Sequence, residues 1–274
     1  MTRLSTGALI AAAALLAGCE FSRPVLTDLV AARRLVSAIH VAFANAGEAS
    51  NRAVMSSQDE ASRAAADEAV KARGAVTRDL AELRSLVERL EYAEEAGLID
   101  TFASQFEDYQ RLDDELLPLA VESSNLKAQQ LSFGPAREAA AAFRAAIGDA
   151  PAAARAHIGV LEILALHAPH IAEPNDEPMT RMEAEMARSE AAVRQALAQL
   201  KASASPSQLN TATAAFDRFM TTNAEIIRLS RRNSNVRSLV LAIGQKRDAM
   251  ARCETTLQAL ERAIASHALS GGTR

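Results

Sequence analysis

Apolar residues recur at spacings of three and four along almost the whole chain beyond Pro24, and that rhythm admits little except packed α-helices. Val25, Leu29, Ala32, Val36, Ile39, Phe43 and Ala46 form one stripe. Ala65, Ala69, Ala72, Val76, Leu83, Val87 and Leu90 form a second, and Phe102, Phe106, Tyr109, Leu112, Leu116, Leu119 and Leu126 a third. The spacing predicts helices over 25–56, 58–96, 98–148, 152–170, 179–202 and 207–268. Gly97 is expected to cap the second of these. Pro118 is expected to kink the third, and Gly134-Pro135 to weaken it. Sheet is disfavoured, because aromatics make up only 4% of the residues and alanine is abundant.

The expected fold is all-α, an elongated antiparallel helical bundle with two long and four short helices. Two stacked four-helix modules account for these lengths. The membrane-proximal module would take 25–131 plus 231–268, and the distal module 132–230. A single four-helix bundle with irregular inserts is the rival arrangement. The last helix alone would span roughly 90 Å at about 1.5 Å per residue.

The N-terminus reads as an address. A basic start at Arg3 precedes an apolar run from Leu9 to Ala17, the pattern of a secretory signal peptide over 1–18. Leu16-Ala17-Gly18-Cys19 resembles a bacterial lipobox, which implies cleavage before Cys19 and lipidation of its thiol. Residues 19–24 would then be the anchor linker and 25–274 the folded domain. Glu20 follows the cysteine where an inner-membrane retention signal would place Asp, so the periplasmic side of the outer membrane is favoured. With Cys19 lipidated, Cys253 has no partner for a disulfide in its own chain. No second apolar run of about 18 residues follows the first, so no membrane-spanning helix is expected. A net charge of −4 spread along the chain offers no footprint for nucleic acid.

Three segments carry a family likeness. They are Asn45 to Met55 leading into Gln58-Asp59-Glu60, Phe106 through Asn125 to Pro135, and Glu225 to Leu239. Together they resemble the four-helix-bundle sensor region of methyl-accepting chemotaxis receptors, and the helix count is similar to its bimodular variant. The resemblance implies an extracytoplasmic sensor domain. Receptors of that type continue into a membrane span and a signalling coil, whereas this chain is expected to stop at Arg274. A detached, lipid-anchored version acting through a partner is the implied arrangement.

Polar residues interrupt the stripes at one expected level. Ser50, Ser123, Ser230 and Asn233 fall on inward positions, with Arg52, Asn125 and Arg237 near them. Amide and guanidinium donors of this kind suit a small anionic ligand such as a carboxylate. The bland alternative is a buried polar layer that fixes helix register. Met179, Met182 and Met186 share a helix face and have the thioethers that suit Cu(I), but Val193, Leu197 and Leu200 extend the same face as a core seam. His157, His167 and His170 are the other conceivable metal ligands, with the last two read as complements to a helix end. Cys253 continues an apolar stripe and reads as a buried thiol. Asp113, Asp114 and Glu115 are consecutive and read as a solvated face. No zinc-protease, haem-attachment or phosphate-loop pattern occurs, so neither an enzyme nor a cofactor is expected. The functional expectation is a sensor-like domain acting through an envelope partner or a homodimer. The alternatives are a scaffolding envelope lipoprotein and, more weakly, metal handling by the Met/His segment.

Overall fold

The computed structural model describes residues 7–270 apart from Ser203, and side chains from Leu26 to His267. Among these residues the structure is all-α, without strands. The helices are α1 (Gly7–Met55), α2 (Asp59–Arg89), α3 (Ala93–Glu122), α4 (Ser124–Leu131), α5 (Arg137–Ile147), α6 (Pro151–Ala172), α7 (Asp176–Leu200), α8 (Pro206–Arg232), α9 (Ser234–Leu241) and α10 (Arg247–Ser270). Two π-turns, Ser132–Ala136 and Ala242–Lys246, follow α4 and α9.

The chain divides into two compact units. Unit 1 holds 1–55, 60–117 and 241–274, and unit 2 holds 56–59 and 118–240. The boundaries thus fall beside Pro118 and at Leu241, not at 131/132 and 230/231 as the helix lengths suggested.

Unit 1 is built on four helices, α1, α2, α3 and α10. Phe43 of α1 is fully enclosed, with Phe102, Phe106 and Tyr109 of α3 edge-on to it at centroid distances of 6.1, 6.0 and 5.1 Å. Edge-to-face packing of this kind suits the aromatic quadrupole. Leu83 and Val87 of α2, and Cys253, Leu257 and Leu260 of α10, complete the core. The stretch Leu26–Met55 of α1 is long and apolar enough to cross a membrane by composition. The sequence reading had missed this. Its inward face belongs to the unit 1 core, however, and it carries Arg33, Arg34 and His40.

Helix α2 ends earlier than Gly97. Glu91 takes a left-handed conformation (φ 58°), with the Tyr92 amide on the Val87 carbonyl and the Glu91 amide on that of Glu88. These are the two bonds of a Schellman cap. Gly97 lies inside α3.

Unit 2 mirrors this with α5, α6, α7 and α8. Phe143 and Phe216 meet at 5.6 Å, and Ile163, Met186, Val193 and Leu197 pack around them. At Gly159 the α6 and α7 backbones come close, since a Cβ there would sit 2.6 Å from Val193 and 3.2 Å from the Ser189 carbonyl oxygen.

The expected helices over 98–148 and 207–268 are each broken. Ser123 (φ 50°) and Asn233 (φ 50°) adopt the left-handed conformation between α3 and α4 and between α8 and α9. Asn tolerates that region better than other non-glycine residues. Ser123 is held there by donating its hydroxyl to the Ala120 carbonyl at 2.9 Å. A π-turn follows eight residues of helix in each case. In the first, Pro135 lacks the amide an α-helix would use, and the wider turn passes over the missing donor.

The two breaks expose an internal repeat. Ser124-Asn125-Leu126-Lys127 corresponds to Ser234-Asn235-Val236-Arg237, at a separation of 110 residues. At the same offset, Leu131, Gly134, Arg137-Glu138-Ala139 match Leu241, Gly244, Arg247-Asp248-Ala249, and Phe106 and Tyr109 match Phe216 and Phe219. Gly159→Val should destabilise unit 2 by about 1–3 kcal/mol through overpacking. Urea unfolding followed by circular dichroism measures it.

Candidate functional site

Both helix breaks lie in unit 2, and they satisfy one another. The Ser124 amide donates to Ser234 Oγ at 2.9 Å, and the Ser234 amide to Ser124 Oγ at 3.0 Å. The Asn125 amide donates to Asn235 Oδ1 at 3.0 Å, and the Asn235 amide to Asn125 Oδ1 at 3.2 Å. Each short helix therefore has its first amides capped by side chains of the other, where an ordinary helix uses its own N-cap. Asn125 Nδ2 also donates to the Ile171 carbonyl at 2.7 Å and to Asn233 Oδ1 at 2.8 Å. Asn233 Nδ2 reaches the Glu173 carbonyl at 3.0 Å. The two asparagines thus serve the end of α6, whose last carbonyls lack intrahelical partners.

Ser123, Asn125, Ser230 and Asn233 are all buried in this unit. Ser230 lies 3.0 Å from His170 Nδ1 and donates its hydroxyl to the Ile226 carbonyl at 2.8 Å. Arg237 is exposed. Arg231 is committed to Glu183 at 2.7 Å and Asp176 at 3.1 Å, and Arg232 to Glu122 at 2.6 Å. Ser50 and Arg52 belong to unit 1 instead. Arg52 is exposed and pairs with Glu68 and Glu48.

A cavity of about 180 Å³ opens beside the breaks. Asn125, Leu126 and Gln129 of α4 line it, with Ser132 and Phe133 of the π-turn, Ala168, Ile171 and Ala172 of α6, and Asn235 of α9. No charged side chain lines it.

His167 and His170 of α6 are core residues, while His157 is half-buried. His167 and His170 have no accessible surface. His167 contacts Ser132 at 3.1 Å and Asn223 at 2.9 Å. His170 contacts Glu183 at 2.9 Å as well as Ser230. Burial holds the His167 pKa below its ordinary value, against the Asn223 hydrogen bond and with help from His170. Met179 and Met186 are buried, as a core seam requires. No group of three or more metal-type His, Cys, Asp or Glu side chains converges among the described residues.

Unit 1 holds a polar node that the sequence reading missed. Asp113 is fully buried rather than solvated. It accepts from Ser50 Oγ at 2.6 Å and pairs with Lys246 Nζ at 2.7 Å and Arg73 Nε at 3.4 Å. Lys246 also reaches Ser50 and lies 5.3 Å from the centre of the Tyr109 ring. Burial pushes the lysine pKa down, while Asp113 opposes that shift. Arg73 is further tied to Asp114 at 2.7 Å and the Gln110 carbonyl at 3.0 Å. The stripe itself carried the signal, because Asp113 follows Tyr109 by four and precedes Leu116 by three, and Lys246 precedes Ala249 and Cys253 by three and seven. In unit 2 the position matching Asp113 is Asn223, which binds His167. Cys253 is buried, its thiol pushed up to about 12 by that burial, so it stays protonated and unreactive.

Comparison with family models, with curated proteins and with solved structures returns no match.

Two measurements test these assignments. Asp113→Leu leaves the buried Lys246 without its anion, Arg73 keeping Asp114, and should cost about 3–5 kcal/mol, whereas adding Lys246→Met should recover a large part of that loss. Purely additive effects in the double-mutant cycle would refute the coupling. The histidines predict opposite pH responses. His40 loses some proton affinity to burial, but its contacts with Glu261 (3.1 Å) and Glu254 (2.7 Å) raise its pKa overall. Its contribution is complete below about pH 6.5 and is lost as pH rises through the raised folded value. His167, with its pKa depressed, favours folding above about pH 6.5 and loses that benefit as pH falls through the depressed folded value. Hydrogen exchange at pH 5.5 and 7.5 should show amides around His40 better protected at the lower pH and those around His167 better protected at the higher.

Proposed function

We propose that this chain is a lipid-anchored, extracytoplasmic binding domain of the sensor type, tethered through Cys19 and acting through an envelope partner rather than by catalysis. The observation that carries this reading is the cavity set directly against the paired helix breaks of unit 2. A helix break is where a small occupant has leverage, because its contacts bear on short capped segments rather than on a continuous helix. The likeness of 45–60, 106–135 and 225–239 to chemoreceptor sensor bundles supports the same reading. The lipobox at 16–19 supports the anchor; the Cys19 side chain lies outside the described residues. The outer membrane, periplasmic face, is the favoured address.

A scaffolding envelope lipoprotein is the second reading. It is favoured by the saturation of Asn125 and Asn233, whose amides are spent on backbone carbonyls and on each other.

Fractionation tests the anchor. Cys19→Ala should move the protein from the membrane fraction to the soluble one and abolish labelling by a radioactive fatty acid; unchanged partition and labelling would overturn lipidation. A thermal-shift panel of small metabolites tests binding. Saturable stabilisation supports the sensor reading, whereas no stabilisation together with specific capture of envelope proteins supports the scaffold.

A further inference from the structure

We infer that the unit 2 cavity is a binding site for a small, uncharged, amide-headed apolar molecule. The inference rests on the binding-domain reading above and narrows it to one chemical class. The volume, about 180 Å³, is of the order of the ~150 Å³ apolar cavities that hold benzene, so the occupant has roughly the size of one substituted ring. Leu126, Phe133 and Ile171 supply apolar lining, and Ala168 is a small, exposed member of the same lining.

The polar end is made of carboxamides. Asn235 spends its Oδ1 on the Asn125 amide, and its Nδ2 takes no partner among the described residues. Gln129 likewise makes no side-chain hydrogen bond among the described residues. Both line the cavity, and between them they offer donors and an acceptor, the pattern that a second carboxamide matches in both directions. A carboxylate would enter the same space without a cation to meet it, and desolvating an unpaired charge is expensive. Arg231 and Arg232 are taken up by Glu183, Asp176 and Glu122, and the Arg137 guanidinium, 4.9 Å from the centre of the Phe133 ring, is not part of the lining. The cavity also sits on a π-turn, a feature that recurs at functional sites.

Benzamide and benzoate are the matched probes, having one shape and different charge. Titration of the mature chain, followed by amide chemical shifts and by calorimetry, should show saturable benzamide binding at the Asn235 and Gln129 side-chain amides. Benzoate should bind at least tenfold more weakly. Ala168→Phe should crowd the cavity and abolish benzamide binding with little change in melting temperature. Should that variant misfold, Gln129→Leu, at an exposed position, should weaken benzamide at least fivefold while leaving benzoate unchanged. Equal affinity for the two probes, no saturable binding, or shifts confined to other residues would overturn the inference. Stabilisation by other molecules from the thermal-shift panel with no response to benzamide would remove this ligand class and leave the sensor reading standing. No response to any of them would remove both.

Discussion

The reciprocal capping of α4 and α9 is the constraint on which unit 2 depends. Two left-handed residues interrupt two helices, and each interruption strands backbone amides that water does not reach. Unpaired, each buried amide would cost about 1–3 kcal/mol. Ser124 and Asn125 meet the amides of Ser234 and Asn235, and the favour is returned in kind. The arrangement fixes one register, because all four bonds pair residues 110 apart, Ser124 with Ser234 and Asn125 with Asn235. Asn125 and Asn233 then extend the network to the end of α6, fixing a third helix against the first two.

The repeat shows how one plan has been filled with different chemistry. The same place in the repeat is Asp113 on α3 and Asn223 on α8. The charged version gathers Lys246, Arg73 and Ser50, while the neutral version gathers His167, and through it Ser132. A buried ion cluster is a weak source of net stability but a strict one of partner choice.

Periodicity made the helices legible, and Pro151, Pro206 and the loop near Pro174 marked their starts and stops. It did not reveal the breaks at Ser123 and Asn233. Neither position carries Gly or a following Pro, and the preference of Asn for the left-handed region is too slight to interrupt an otherwise continuous stripe. Gly97 misled in the opposite direction, since the cap was supplied by Glu91 with no glycine at all. For the site, the inward positions of Ser123, Ser230 and Asn233 were readable from spacing. Their saturation by one another was not, because it depends on residues far apart in the chain. Asp113 was readable from the stripe, but its acidic neighbours Asp114 and Glu115 disguised it as surface.

The assignment of segments to units has a consequence for the order in which the protein forms. Each half of the chain lends its last helix to the other half's core: α5 completes unit 2, and α10 completes unit 1. Unit 2 is nearly continuous along the chain, whereas unit 1 joins His40 to Glu261 across 221 residues. Closing so long a loop is entropically slow. As the chain is synthesised, unit 2 therefore has all its parts first, and the unit 1 core stands open until α10 is made. That interval, with Phe43 and its aromatic neighbours uncovered, is when this protein most needs a chaperone.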